Sequence, residues 1–281
     1  MNRLSRAERA QIIRCLIEGN SIRSTARMTG AARNTISTLL VQLGEACSAY
    51  QDAVLRNLTP RRIEADEIWS FCYAKAKNVP EDKAGTFGFG DVWTWVAIDP
   101  DTKLVPAWLV GTRDEIDCHA FIADLGSRLV GRFPLTTDGH TPYTDAVERT
   151  FGIDVDYAQL IKDYGVEDSR DASPTARRYS PNKVLSQQVK VIRGNPTRDL
   201  ISTSHVERSN LSMRMGMRRF TRLTNGFSKK VENHAAMVSL HFMAYNFAKP
   251  HGSLGKNRTP AMVAGVTDHV WTPDEIAALL D

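Results

Sequence analysis

The chain has 281 residues, 42% hydrophobic and 24% charged, a globular composition that excludes disordered and collagen-like proteins and suits a large core plus a small extra domain. Its formal net charge of +4 is too modest to define a partner, so local charge placement carries more information. The 4 cysteines are widely spaced without a C-x-x-C pair, which argues against a zinc ribbon and a disulfide framework.

The charged start Met1–Arg9 lacks the apolar core of a signal peptide and no apolar run reaches spanning length, so a soluble cytoplasmic protein without a membrane partner is expected. Ser5-x-x-Glu8 is a capping box that opens a first helix through Ile12, Ile13 and Leu16, with Gly19-Asn20 as its stop. A second helix fits Ser21 to Met28, Thr29-Gly30-Ala31 makes a turn, and a third helix runs from about Ala32 to Leu43. This is the pattern of a helix-turn-helix, and Arg33, Asn34, Thr35 and Thr38 at the start of its last helix suit phosphates and base edges in the major groove. A bundle used only for protein contact is the alternative. The expected boundaries are a helix-turn-helix unit over 1–48, a linker over 49–60, a catalytic domain over 61–265 and a tail over 266–281.

Arg61 to Tyr73 alternates as a strand, with Ile63, Ala65, Trp69 and Phe71 on one face and Glu64, Asp66, Ile68 and Ser70 on the other. Strands follow at Val92–Ile98 and Leu104–Val110. A capping box at Thr112-x-x-Glu115 then opens a helix with Ile116, Ala120, Ile122, Leu125 and Leu129 as its apolar members. Phe133–Asp138 is a short strand, Tyr143–Thr150 a helix and Val155–Ile161 a strand. The expected fold is therefore α/β, with a three-strand meander followed by helix, strand, helix, strand.

The stretch 168–199 has no acid between Asp171 and Asp199 while Arg177, Arg178, Lys183, Lys190, Arg193 and Arg198 fall inside, as in a solvated loop or a nucleic-acid-contacting insertion. A helix from Ser204 carries Glu207 at the head of a second acid-free run that holds Arg208, Arg214, Arg218, Arg219 and Arg222. A further helix spans Ser228 to Ala248.

Phosphodiester chemistry on nucleic acid commonly uses two divalent cations about 3.5–4 Å apart, and hard carboxylate oxygens from separate chain segments suit Mg²⁺. Candidates are Asp66 in mid-strand, Asp138 at a strand end before glycine, and Glu207 in a first helical turn. Each also has a plain reading: an exposed strand acid, a turn signal, and a helix-start acid favoured by the dipole. Glu67, expected to point away from Asp66, and Glu232 are the competing acids.

Ile63-Glu-Ala-Asp66-Glu-Ile-Trp-Ser, Thr136-Thr-Asp138-Gly and His205-Val-Glu207-Arg-Ser-Asn210 together resemble the DDE transposases of bacterial insertion sequences, most closely the family headed by insertion sequence "one". The resemblance covers roughly residues 61 to 265 and includes Asn246-Phe-Ala-Lys-Pro-His251 and Thr259-Pro-Ala261. It implies a ribonuclease-H-like mixed sheet flanked by helices, with Asp66, Asp138 and Glu207 as catalytic metal ligands for two Mg²⁺, Mn²⁺ substituting. His205, Asn210 and Arg214 would support them, Arg214 standing where the family has a basic residue seven positions after its glutamate. Arg33, Asn34, Thr35, Thr38, Arg177, Arg178, Arg214, Arg218, Arg219 and Arg222 are the expected DNA contacts. The implied partners are double-stranded DNA, as terminal inverted repeats and target, and a second copy of the chain, near the bacterial nucleoid. A DNA-binding regulator with a decayed catalytic domain and a nuclease without strand transfer are the rival readings.

Overall fold

A computed structural model describes residues 4–165, 183–221 and 225–281. Its centre is a mixed sheet of six strands: β1 (Ile63–Cys72), β2 (Gly90–Ile98), β3 (Ala107–Gly111), β4 (Phe133–Thr137), β5 (Val155–Gly165) and β6 (Lys183–Arg193). They lie in the order β3-β2-β1-β4-β5-β6. β1 to β3 form an antiparallel meander, β4 and β5 add in parallel to β1, and β6 returns antiparallel on β5. The two parallel additions require crossovers, which α4 (Glu115–Arg128) and α5 (Pro142–Phe151) provide. This is the α/β, ribonuclease-H-like arrangement that the order of elements calls for.

The crossover helices cover one sheet face, where Ile63, Ala65 and Trp95 pack with Phe121, Leu125 and Tyr143. The other face lies under α3 (Arg33–Val54), α6 (Ser204–Gly216) and α7 (Val231–Met243), where Ile68, Val96 and Ile98 meet Leu40, Leu43, Val206, Met213 and Phe242. Because both faces are covered, the polar side of β1 is also buried: Glu64 is 0% and Ser70 3% exposed. A carboxylate buried to that degree needs partners, and it finds them in the candidate site.

Four expectations change. First, α3 does not stop near Leu43. It runs through the expected boundary at 48 and into the 49–60 linker. Gly44 is where α3 crosses α7, and a Cβ there would collide with Ala236. Gln51 then donates to Cys47 O at 3.1 Å and reaches Ser239 O at 3.4 Å. The N-terminal helices α1 (Arg6–Ile17), α2 (Ile22–Thr29) and α3 therefore share one core with the sheet. Nor is 266–281 a loose tail: α8 (Pro260–Val263) precedes a turn, and α9 (Pro273–Ala278) buries Ile276 and Ala277 beside α1, where Arg9 pairs with Asp281 at 2.5 Å.

Second, the 168–199 stretch contains a strand. β6 carries no apolar–polar alternation: Ser186, Gln187 and Gln188 separate Val184 and Leu185 from Val189 and Val191, and these residues are all exposed. Arg177 and Arg178 lie outside the described residues, as does Arg222. Third, α4 is capped by Asp114, which accepts from Asp117 N at 3.0 Å, and not by Thr112. That shift leaves Ile116 78% exposed, and Cys118, Phe121, Ile122 and Leu125 form the buried stripe. Fourth, α6 ends at Gly216 and Met217 turns extended, so Arg218 sits on a separate 3-10 turn and not on the helix face of Glu207. Among the described residues no helix is long and apolar enough to cross a membrane.

Candidate functional site

The pairing of β1 with β4 ends at Ala65 opposite Thr137, while β1 continues to Cys72. Past that end the strand edge is open, and the next residue on either chain is an acid: Asp66 on β1 and Asp138 after β4. Glu67 joins them. One carboxylate oxygen from each of Asp66, Glu67 and Asp138 lies within 4.8 Å of the others. Glu67 does start from the opposite strand face, as alternation requires, but the early stop of β4 lets both neighbours reach one opening. The expectation that Glu67 stands apart is thus corrected.

Electrostatics mark the group as crowded. Burial, then the Asp138 and Glu207 charges, push the Asp66 carboxyl up to about 7 despite the Asn210 hydrogen bond. Burial and then Asp138 push Glu67 up to about 8, with Asp66 adding to it and Arg113 opposing. Glu67 Oε1 is buried without a hydrogen-bond partner. The Tyr143 hydroxyl, fully buried on α5, lies beside that carboxylate, and both burial and Glu67 raise its pKa well above the ordinary value. Arg113, from the loop before α4, donates through Nε to Glu67 Oε2 at 3.0 Å and through Nη2 to Asp138 Oδ2 at 3.3 Å. The other Asp138 oxygen accepts from His140 N at 2.9 Å.

α6 is fixed to β1 by two polar contacts. The buried Glu64 carboxylate accepts from His205 N at 2.8 Å and Val206 N at 3.1 Å, capping the free amides of the helix start. It also meets His205 Nδ1 at 2.9 Å. His205 therefore braces the helix start. One turn on, Asn210 Nδ2 donates to Asp66 Oδ2 at 2.9 Å. Glu207 lies between, exposed at the rim, where Thr203 Oγ1 (2.7 Å) and Lys162 of β5 hold its carboxylate. Its charge is felt at Asp66, but it stands outside the close group of three acids. Glu232 influences Cys72 at the far end of β1, about 20 Å along the strand from Asp66.

Three hard oxygen donors with excess negative charge and an orphaned buried oxygen suit a small divalent cation such as Mg²⁺ or Mn²⁺. Of the residues expected from the sequence, Asp66 and Asp138 meet in the close group, Asn210 bonds to Asp66, and Glu207 stands at the rim. Sequence reasoning did not give Glu67, Glu64, Lys162 or Arg113 a place in the site. The Glu64 signal was present, as an acid two positions before Asp66 on the same strand face. Arg113 and Lys162 carry no local signal, since only the fold brings their loop and strand to the acids.

The expected DNA contacts divide. Arg33, Asn34, Thr35 and Thr38 are exposed at the start of α3. A groove of about 1000 Å³ runs between that helix start and the α6–α7 connection, lined by Arg23, Arg33, Arg218, Arg219, Lys229 and Lys230 with Asn34 and Asn233. No acid lines it. Arg219 is its least available cation: Nη1 donates to Ser228 Oγ at 2.8 Å, and burial pushes its pKa down to about 10. Arg214 is half-buried in α6.

No family model matches the sequence, and no curated protein matches it. Solved structures with some similarity include a chain of a pre-cleavage Mos1 transpososome, at 12% identity and a TM-score of 0.21, covering 55% of this chain and 60% of that one. A chain of the Mos1 strand transfer complex gives 12% identity and a TM-score of 0.25, covering 86% of this chain and 76% of that one. The first alignment spans less than two thirds of its neighbour. Superposition this loose carries no weight for function, and the architecture rests on the strand order itself.

Proposed function

We propose that the chain is a metal-dependent DNA transposase of the DDE type, most like the insertion sequence "one" family. The observation that carries this reading is the convergence of the Asp66, Glu67 and Asp138 carboxylates at the open end of β1 and β4, with Glu207 at the rim. Asp66, Asp138 and Glu207 are the ligands proposed for two Mg²⁺, with Mn²⁺ as substitute. Bound there, the ions would polarise a scissile phosphodiester and lower the pKa of an attacking oxygen.

The chain's own residues do the positioning. Glu64 holds the α6 start against β1, Asn210 orients Asp66, and Thr203 and Lys162 keep Glu207 facing the opening. α6 spans about 20 Å by helical rise. Its first turn lies at the acids and Gly216 near its end touches Gly19, between α1 and α2. That separation equals about six base pairs of duplex. A DNA end gripped by Arg33, Asn34, Thr35 and Thr38 in the groove, and tracked by Arg218, Lys229 and Lys230, would reach the acids over that length. Arg214 lies on the same helix between the two. Joining two ends calls for at least two copies of the chain.

The test uses the full chain and duplexes carrying the inverted repeats that border its gene. Mg²⁺- or Mn²⁺-dependent nicking that leaves a 3′-hydroxyl, followed by joined products with target DNA, is expected. Specific binding without cleavage would make the protein a regulator, and cleavage without joining a nuclease. Full cleavage by Glu207→Gln would remove Glu207 from the ligand set and leave Glu67 as the third acid.

A further inference from the structure

The carboxylate group has one cation of its own, and it comes from a segment that the DDE reading leaves without a role. The Arg113 guanidinium bridges Glu67, whose side chain is 1% exposed, and Asp138, at 3.0 and 3.3 Å. The backbone beside it is pinned. Trp95 Nε1 donates to Thr112 O at 2.9 Å, Thr112 N and Oγ1 both reach Asp117 Oδ2 at 2.6 Å, and Asp114 caps α4. Arg113 is therefore aimed at the acids by a fixed loop, and only its side chain has freedom. In the same pose the guanidinium lies over the Trp93 ring, its carbon 4.9 Å from the ring centroid.

Resting on the metal-site reading, we infer that Arg113 is a built-in counter-ion of Glu67 and Asp138 that competes with the divalent cation for Asp138. Three neighbouring carboxylates repel one another, and a positive charge beside them eases that repulsion. Arg113 supplies that charge by gripping Asp138 Oδ2, while His140 N occupies Oδ1. A divalent cation placed among the same oxygens would repel the guanidinium at short range, so loading requires Arg113 to withdraw. The open rim, where the Arg113 side chain is already 36% exposed, gives it somewhere to go. Withdrawn there, it becomes a free fork of donors beside the loaded acids, matched to a DNA phosphate. Metal loading and substrate grip are thereby coupled through one side chain.

The experiment is Mn²⁺ titration of the full-length protein by calorimetry without DNA, on wild type, Arg113→Ala, Arg113→Lys and Asp138→Asn. Competition predicts that Arg113→Ala binds Mn²⁺ roughly tenfold or more tightly than wild type. Arg113→Lys, which keeps the charge without the fork, should fall between, and Asp138→Asn should bind poorly. In wild type, the Arg113 Nε–H resonance should shift with the same midpoint as the Mn²⁺ heat, or with diamagnetic Mg²⁺ where Mn²⁺ broadens it away. Equal or weaker binding by Arg113→Ala, with Asp138→Asn still impaired, would overturn the inference while leaving the metal site in place. No Mn²⁺ binding by any folded variant would overturn both. Arg113→Lys also serves as the test if Arg113→Ala does not fold.

Discussion

The two ends of β1 both bury polar side chains against α6 and α7, and they treat them differently. Toward Cys72, Ser70 Oγ donates to Val92 O at 3.0 Å and meets His234 Nε2 at 3.2 Å, and Ser228 Oγ meets His234 Nδ1 at 3.0 Å. Burial pushes His234 down to about 3, so it is a neutral core histidine with both ring nitrogens engaged. Toward Ile63, Glu64 is equally well satisfied by the α6 start, but Asp66 and Glu67 next to it carry raised pKa values and an orphaned oxygen. Where every buried polar group is paired, the cluster holds the fold together. Where charge is left over, the fold spends stability on a site that a ligand must complete.

The largest way to sharpen this contrast is Asp138→Asn. On the transposase reading, metal-dependent cleavage should fall at least ~10³-fold, the scale of several kcal/mol of lost charge stabilisation. The unfolding midpoint of the metal-free protein should rise, because a repelling charge has gone. A drop in both would place Asp138 among the structural acids instead.

The next test is pH. Asp66 and Glu67 have folded-state values near 7 and 8 against ordinary values of 3.8 and 4.5, so the folded chain holds extra protons between those limits and loses stability as pH rises through them. His234 and His241, pushed down to about 3 from 6.5, act in the opposite direction: their stability is present above about 6.5 and is lost as pH falls towards 3. The two effects oppose each other below about pH 6.5, and above it the acids and His269, whose pKa is raised by its hydrogen bonds to Asp268 and Glu275, act in one direction. Urea unfolding of the metal-free protein should therefore show falling stability from pH 6.5 to 8, and a flatter profile with Mn²⁺ added. A flat profile without metal would mean that the acids are compensated.

At the other end of the strand, His234→Ala should cost about 1–3 kcal/mol by leaving Ser70 and Ser228 without their partner. Mn²⁺ affinity should not change, and a change would join the two ends into one system. The smallest effect belongs to Glu64→Gln, about 1 kcal/mol, since an amide oxygen can still accept from the α6 start while the charge opposite the helix dipole is lost. Calorimetric unfolding would measure both.

Much of this contrast can be read from the chain, but unevenly. Alternation over Arg61–Tyr73 separates Glu64, Asp66 and Ser70 from Ile63 and Ala65, and the capping box at Ser5 opens α1 as expected. The continuity of α3 past Leu43 could not be read, because what holds it is packing at Gly44 against Ala236, nearly two hundred residues away. β6 was hidden because an edge strand with polar faces has no strong hydrophobic period. In α4, three acids within four positions compete for the cap, and only the fold shows that Asp114 takes it.

By itself the sequence determined most of the backbone elements, their order, and two of the acids that face one another, Asp66 and Asp138. Those properties follow from side-chain periods of 2.0 and 3.6 residues and from capping chemistry, which act over a few residues. Tertiary structure decided the rest: that β4 stops at Thr137 opposite Ala65 and admits Glu67, that Glu207 stands at the rim with Lys162, and that Arg113 supplies positive charge beside the acids. Each depends on where one strand ends relative to another, and on segments far apart in the chain meeting at that gap.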